Sequence, residues 1–248
     1  MNGSLTNTVD VIDSSLSHFT APNLLSAEGG CGAITIGNYA LFGGKDAVIS
    51  AYDTSLTQIT GIDPLTIGRY YIATALTDRQ ALFAGGYNSG TYYPTVDCYN
   101  ASLVHTTPPT HLSSSRAYLN GATVNGHALF AGGINGTALN TVNSYDSALT
   151  MTTLNALGQA RCAMASTSVE GYALFGAGMS TSSVTTSTVF YNNIDAYNNS
   201  LTHSIPEALP GNAGPIVATS LDKYALFGCY LNRDISSNKA LIDVYEVN

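Results

Sequence analysis

The chain has 248 residues, 45% of them hydrophobic, so it is long enough to bury a core. Only 10% are charged, against ~25% in ordinary globular domains, and the net charge is −8 with eight Lys plus Arg. That balance excludes the basic footprint of a nucleic-acid binder, and no apolar run reaches the ~18 residues of a membrane span. Residues 1–6 have neither the basic nor the apolar region of a secretory leader. The polar surface must come from Ser, Thr, Asn, Gly and Tyr. Such a composition leans toward a virion-associated or extracellular protein and leaves the cytoplasm open.

Residues 1–19 read as the tail of a repeat unit. Asn2-Gly3-Ser4-Leu5-Thr6-Asn7-Thr8-Val9-Asp10 parallels Asn135-Gly136-Thr137-Ala138-Leu139-Asn140-Thr141-Val142-Asn143. The stretch 9–13 opens a family of six alternating segments, the others being 48–53, 96–100, 142–146, 194–198 and 242–246. Alternation of apolar and polar residues marks a half-buried strand. A fixed turn follows five of the six: Asp13-Ser14-Ser15-Leu16, Asp53-Thr54-Ser55-Leu56, Asn100-Ala101-Ser102-Leu103, Asp146-Ser147-Ala148-Leu149 and Asn198-Asn199-Ser200-Leu201. Asp or Asn at the first place bonds its own backbone two residues on and closes the turn. An outer strand follows the turn, as in Leu56-Thr57-Gln58-Ile59.

The second recurring stretch is Tyr39-Ala40-Leu41-Phe42-Gly43-Gly44, repeated around Ala81, Ala128, Ala173 and Ala225 at spacings of 41, 47, 45 and 52 residues. A period of ~40–50 residues signals propeller blades. The Ala-Leu-Phe run is apolar throughout, as expected of a strand covered on both faces. Two residues separate it from a preceding strand: Gly37-Asn38, Asp78-Arg79, Asn125-Gly126, Glu170-Gly171 and Asp222-Lys223, all hairpin turns. That preceding strand has a small residue at Ala33, Thr74, Gly121, Ser166 and Ala218, where neighbouring blades would crowd together. Each unit is thus four antiparallel strands, and no helical period is sustained.

These features resemble the kelch repeat. Arg69, Arg116 and Arg161 each stand twelve residues before their Ala, and Gly85-Gly86 and Gly132-Gly133 form the expected doublets. Glu28 and Ala213 depart from the Arg position, Ala177 and Cys229-Tyr230 from the doublet, and Leu replaces the Trp of the outer strand. These departures resemble a short variant found in bacterial proteins and their phages. The resemblance implies an all-β, five-bladed propeller of four-stranded antiparallel blades in one domain, residues 1–248. Its units would be 1–19 (partial), 20–60, 61–107, 108–153, 154–205 and 206–248 (partial). The N- and C-terminal strands would share one blade, with strands 9–13 and 242–246 both claiming its third place. The spare strand could pair with another chain, giving a homo-oligomer or a larger assembly.

No catalytic motif occurs, and no cofactor or metal is indicated: H-E-x-x-H, C-x-x-C, G-x-S-x-G and a phosphate loop are all missing from the sequence. Cys31, Cys98, Cys162 and Cys229 fall at different repeat positions and read as buried thiols. His18, His105 and His203 fall on outer strands, which should face solvent, and His111 and His127 are scattered.

What is left is a surface. Loops before the first strand and after the second share one face. That face should carry Arg69, Tyr70, Tyr71, Arg116, Tyr118 and Arg161 from the first loops, and Tyr87, Tyr92, Tyr93, Phe190, Tyr191, Tyr230 and Arg233 from the second. Tyr and Arg are enriched at binding hot spots. Bracing of neighbouring blades by the arginines and capping of loop ends by the tyrosines is the alternative. The expected function is non-enzymatic recognition of a protein or glycan. A carbohydrate-active kelch-type enzyme and a purely structural subunit are the competing readings.

Overall fold

The computed structural model describes residues 5–27, 29–212, 217–228 and 242–246. Strands β1 (Val9–Ile12) and β2 (His18–Ala21) form a two-stranded sheet. The first four-stranded sheet is β3 (Gly32–Ile36), β4 (Tyr39–Gly43), β5 (Ile49–Tyr52) and β6 (Gln58–Ile59). The second begins with β7 (Ala73–Leu76) and β8 (Gln80–Ala84), passes through a ribbon of β9 (Tyr87–Asn88) and β10 (Thr91–Tyr92), and ends with β11 (Val96–Asn100) and β12 (His105–Thr106). The third has β13 (Asn120–Val124), β14 (His127–Ala131), the ribbon β15 (Ile134–Asn135) and β16 (Thr137–Ala138), then β17 (Val142–Tyr145) and β18 (Met151–Thr153). The fourth is β19 (Ala165–Val169), β20 (Tyr172–Gly176), β21 (Ile194–Asn198) and β22 (His203–Ser204). A three-stranded sheet of β23 (Val217–Leu221), β24 (Tyr224–Gly228) and β25 (Ile242–Glu246) completes the series.

Every pairing is antiparallel between strands that follow one another in the sheet, so each sheet is a meander. The first strands pack in chain order, β3 on β7, β7 on β13, β13 on β19 and β19 on β23. No helix occurs among the described residues. The arrangement is that of a β-propeller-like fold.

The repeated turn has a repeated geometry. Leu16, Leu56, Leu103, Leu149 and Leu201 all adopt φ of 58–62°, a left-handed conformation that bulky residues avoid. The preceding Asp or Asn offsets that strain. Asp53 Oδ1 accepts the N–H of Ser55 and of Thr57, both at 2.9 Å. Asp13, Asn100, Asp146 and Asn198 do the same in their own turns. The hairpin turns Asn125-Gly126 and Glu170-Gly171 have positive φ at both residues, as the matching twist requires.

The core lies between sheets. Phe83, Phe130, Phe175 and Phe227 have no exposed surface, and Leu41 and Ile49 of the first sheet, with Leu65 of the loop that follows it, pack against Phe83 and Tyr99 of the second. Small residues on the first strands let the sheets approach. A Cβ at Gly121 would stand 2.2 Å from the Thr74 carbonyl oxygen, so only glycine fits there. Hydroxyls stitch the same seams: Thr74 Oγ1 donates to the Ala33 carbonyl at 2.9 Å and Ser166 Oγ to the Gly121 carbonyl at 2.7 Å.

Two expectations are corrected here. Among the described residues the terminal strands do not share a sheet: β25 takes the third place beside β24, with Leu226 opposite Val244, while β1 pairs with β2. Cys31 is exposed, whereas Cys98 and Cys162 are buried as expected; burial pushes their thiols up to about 12 and about 11. Cys229 lies outside the described residues.

Candidate binding face

In the second, third and fourth units the loops before the first strand and after the second strand meet on one face. Tyr70 bridges to Tyr87, Ala117 to Ile134 and Cys162 to Met179, each antiparallel. Two residues after each arginine the chain turns left-handed, at Tyr71 (φ 57°), Tyr118 (φ 54°) and Ala163 (φ 48°), with Gly30 at φ 62° in the first unit. These four positions are linked by backbone bonds from unit to unit. Tyr71 N–H donates to the Gly30 carbonyl at 2.7 Å, Tyr118 N–H to Tyr71 at 3.1 Å and Ala163 N–H to Tyr118 at 2.9 Å. A side chain at Gly30 would collide with the Tyr71 ring, 2.9 Å from its Cβ position.

The tyrosines gather. Tyr71 and Tyr118 stack with ring centroids 4.0 Å apart and planes 17° from parallel. Tyr70 lies beside Tyr71, and Tyr87 meets Tyr92 at 5.1 Å. Below them, Ile134, Cys162, Met179 and Phe190 form a buried apolar floor on which Tyr92, Tyr118 and Ala163 pack. Burial of the Tyr118 hydroxyl, next to that of Tyr71, raises its pKa well above the usual phenol range. Tyr71 is 40% exposed and presents the most open aromatic surface of the cluster. The cluster is an aromatic, hydroxyl-bearing patch.

The remaining candidates are distributed differently. Phe190 supports the loop from beneath, because it is buried with Met179 and bridges to it. Tyr93 and Tyr191 are half-buried, their N–H groups bonded to the Gly86 and Gly178 carbonyls. Tyr230 and Arg233 lie outside the described residues. Loop 179–193 is braced internally: Thr188 Oγ1 donates to the Ser183 carbonyl at 3.0 Å and accepts from Thr185 N–H at 2.8 Å.

Arg69, Arg116 and Arg161 are not on the face. All three are completely buried, and their side chains bond within their own unit, so each braces its own sheet and not, as the alternative had it, a neighbouring one. Arg69 Nη2 lies 2.8 Å from Asp97 Oδ2, and its Nε and Nη1 donate to the Gly85 and Ile67 carbonyls. Asp97 Oδ1 in turn accepts from Thr66 N–H at 2.9 Å and sits 2.9 Å from His105 Nε2. Arg161, Asp195 and His203 repeat the set at 2.5 and 2.6 Å. In the third unit Arg116 Nη2 donates to Asn143 Oδ1 at 2.8 Å, and Met151 occupies the histidine position, 3.4 Å from Asn143 Nδ2. Burial would raise the Asp97 carboxyl, but Arg69, Thr66 and His105 together hold it below the usual carboxylate range. Arg116 faces an amide instead of a carboxylate, and burial lowers its pKa to about 10.

His105 and His203 are therefore mostly buried, not solvent-facing, with side chains 18% and 14% exposed. Sequence reasoning missed this set, although a signal was present: an Asp eight residues before a His at Asp10–His18, Asp97–His105 and Asp195–His203. The left-handed turn at Tyr71 and Tyr118 had no such marker, since neither residue type favours it.

No family model matches the chain, and no curated protein does. The solved structure of YjhT is similar in fold, with a TM-score of 0.68 over 98% of this chain and 94% of that one, at 9% sequence identity.

Proposed function

We propose that this chain is a kelch-type β-propeller whose five sheets are blades, and that it is a non-enzymatic recognition module. Its ligand is a protein or a glycan, engaged through the aromatic loop face. Tyr71 carries the reading. A tyrosine held at positive φ costs ~1–2 kcal/mol relative to an ordinary conformation, and strain of that kind clusters at functional sites. Here it is spent on presenting a ring to solvent, stacked on a second ring that fixes its angle. A rigid apolar face with a polar tip suits the faces of sugar rings or an aromatic side chain of a partner. The charge-poor, hydroxyl-rich composition fits a phage particle or a bacterial surface structure.

The test is a glycan and protein display screen on the intact chain and on Tyr71→Asn, which removes the ring while tolerating the left-handed backbone. Tyr71→Phe keeps the ring. Binding should survive Tyr71→Phe and fall at least about tenfold in Tyr71→Asn, as for a hot-spot aromatic, with the thermal midpoint little changed. A ligand held equally well by Tyr71→Asn would place recognition elsewhere.

A further inference from the structure

We infer that β1 and β2 are the outer half of a further blade, and that their open edge docks a β-hairpin of this chain's own repeat type, carried by another repeat unit. The hairpin's defining feature is an arginine twelve residues before its Ala-Leu-Phe strand. This inference concerns the sheet edges, not the loop face, and stands independently of the recognition reading.

β1 and β2 match the third and fourth strands of a blade in their turn and in their Asp–His pair, with Ile12 at the place of Tyr99 and Tyr197. The turn between them has the Asp13 cap and left-handed Leu16. Asp10 and His18 are 2.9 Å apart, as are Asp97 and His105. The two pairs differ in surroundings. Asp97 is buried against Arg69, whereas Asp10 and His18 have side chains 65% and 59% exposed and no arginine beside them among the described residues. In the second, third and fourth sheets the Asp or Asn lies opposite the Phe of the second strand, as Asp97 lies opposite Phe83 and Asp195 opposite Phe175. Among the described residues no strand lies against the equivalent edge of β1, whose pairing is with β2.

β1 also sits where a blade sits. Val9 and Val11 pack on a cluster of Ala21, Leu24 and Tyr52 that Phe42 and Leu56 also cover, so β1 adjoins the first sheet. The covering stops short of the inner part of that sheet. Ala40 and Phe42 are half-buried, while Ala81, Ala128, Ala173 and Ala225 and their matching phenylalanines have no exposed surface at all. Over Ala81 and Phe83 the covering residues include Ile36 and Leu41, from the first two strands of the preceding sheet. The element that would play their part over Ala40 and Phe42 is a first-and-second-strand hairpin. The last sheet shows the reverse side of the same need. Val217, Leu221 and Val244 are 62%, 68% and 57% exposed, against 3%, 4% and 4% for Ala165, Val169 and Ala196 at the equivalent places in the fourth sheet.

Three requirements then select the occupant. It must pair along β1, offer small residues and a Phe to the sheet faces, and bring a buried cation to Asp10. A hairpin of this repeat satisfies all three, as β7–β8 does for Asp97. The chain's own terminal hairpin β23–β24 is unsuited, because β25 already holds its outer edge and the arginine position in its sequence is Ala213. Strand addition to a free sheet edge is an established mode of peptide recognition.

The probe is a labelled synthetic peptide of residues 114–133, which holds Arg116, β13 and β14. It is titrated into the intact chain and read by fluorescence anisotropy and by thermal midpoint. Expected are saturable binding, a raised midpoint, and about tenfold weaker binding when the peptide carries Arg116→Met, the worth of one charged hydrogen bond. In a chain with Asp10→Ala the two peptides should bind alike; that exposed residue can change without harming the fold. A second measurement joins the same hairpin sequence ahead of Thr6 through a short flexible linker, so that a weak peptide is tested at high effective concentration. The fused chain should melt higher than the parent, and lose the gain with Asp10→Ala. The inference is overturned if neither peptide nor fusion stabilises the chain, if Arg116→Met makes no difference, or if the edge is instead taken by a second copy, seen as a concentration-dependent dimer that the peptide does not dissolve.

Discussion

Replacing Asp97 by Ala should be among the most damaging single changes in this chain. The substitution leaves the Arg69 guanidinium wholly buried with its Nη2 facing no carboxylate, where Asp97 Oδ2 now stands 2.8 Å away. Removing one partner of a buried pair costs ~3–5 kcal/mol, because a charge is left desolvated and uncompensated. It also removes the acceptor of Thr66 N–H and the partner of His105. Domains are stable by only ~5–15 kcal/mol, so a large share of the margin disappears. The third unit supplies its own control, since Arg116 is satisfied there by Asn143, beside Met151. The double change Asp97→Asn with His105→Met copies that arrangement, keeps an acceptor for Arg69 Nη2, and should cost clearly less than Asp97→Ala. Urea unfolding with an unchanged m-value reads both. If Asp97→Ala cost less than ~1 kcal/mol, or the double change cost as much as Asp97→Ala, the arginine would not depend on its partner and the reasoning would fail.

Acid should act through the same carboxyl. Its folded pKa is depressed, so its stabilising contribution is complete above the ordinary Asp value of ~3.9 and is lost as pH falls through the lower folded value. Urea titrations between about pH 5 and pH 2 should show that loss, and the Asp97→Asn, His105→Met chain should show less of it. Phe130→Ala, at a fully buried site, should cost ~3–5 kcal/mol. Phe42→Ala should cost clearly less, because Phe42 is already half-exposed; equal losses would mean that its seam is covered in solution. Gly121→Ala should lower the thermal midpoint sharply or abolish soluble expression, since the new methyl meets the Thr74 carbonyl at 2.2 Å. Asp146→Ala, which takes from two backbone N–H donors of a strained turn their carboxylate acceptor, should cost ~1–2 kcal/mol in the same assay.

The sequence by itself determined the repeat, the strand order within each unit and the chemistry of the turns. These are local properties: alternation shows which residues share a face, Asn-Gly and Glu-Gly close hairpins, and Asp or Asn ahead of Leu caps a tight turn whatever lies beyond it. The tertiary structure decided where the arginines went. Whether Arg69 reaches a ligand or a neighbour depends on Asp97, 28 residues away, being brought to 2.8 Å in a dry seam. It likewise drew His105 and His203 inward, because an outer-strand position is solvent-facing only until a buried carboxylate competes for the ring. The stacked Tyr71 and Tyr118 arose from backbone bonds between units, which no single repeat encodes. The terminal strands were settled in the same way. Both 9–13 and 242–246 carry the pattern of a third strand, and only packing in the cluster around Tyr52 on one side and pairing with β24 on the other separated them.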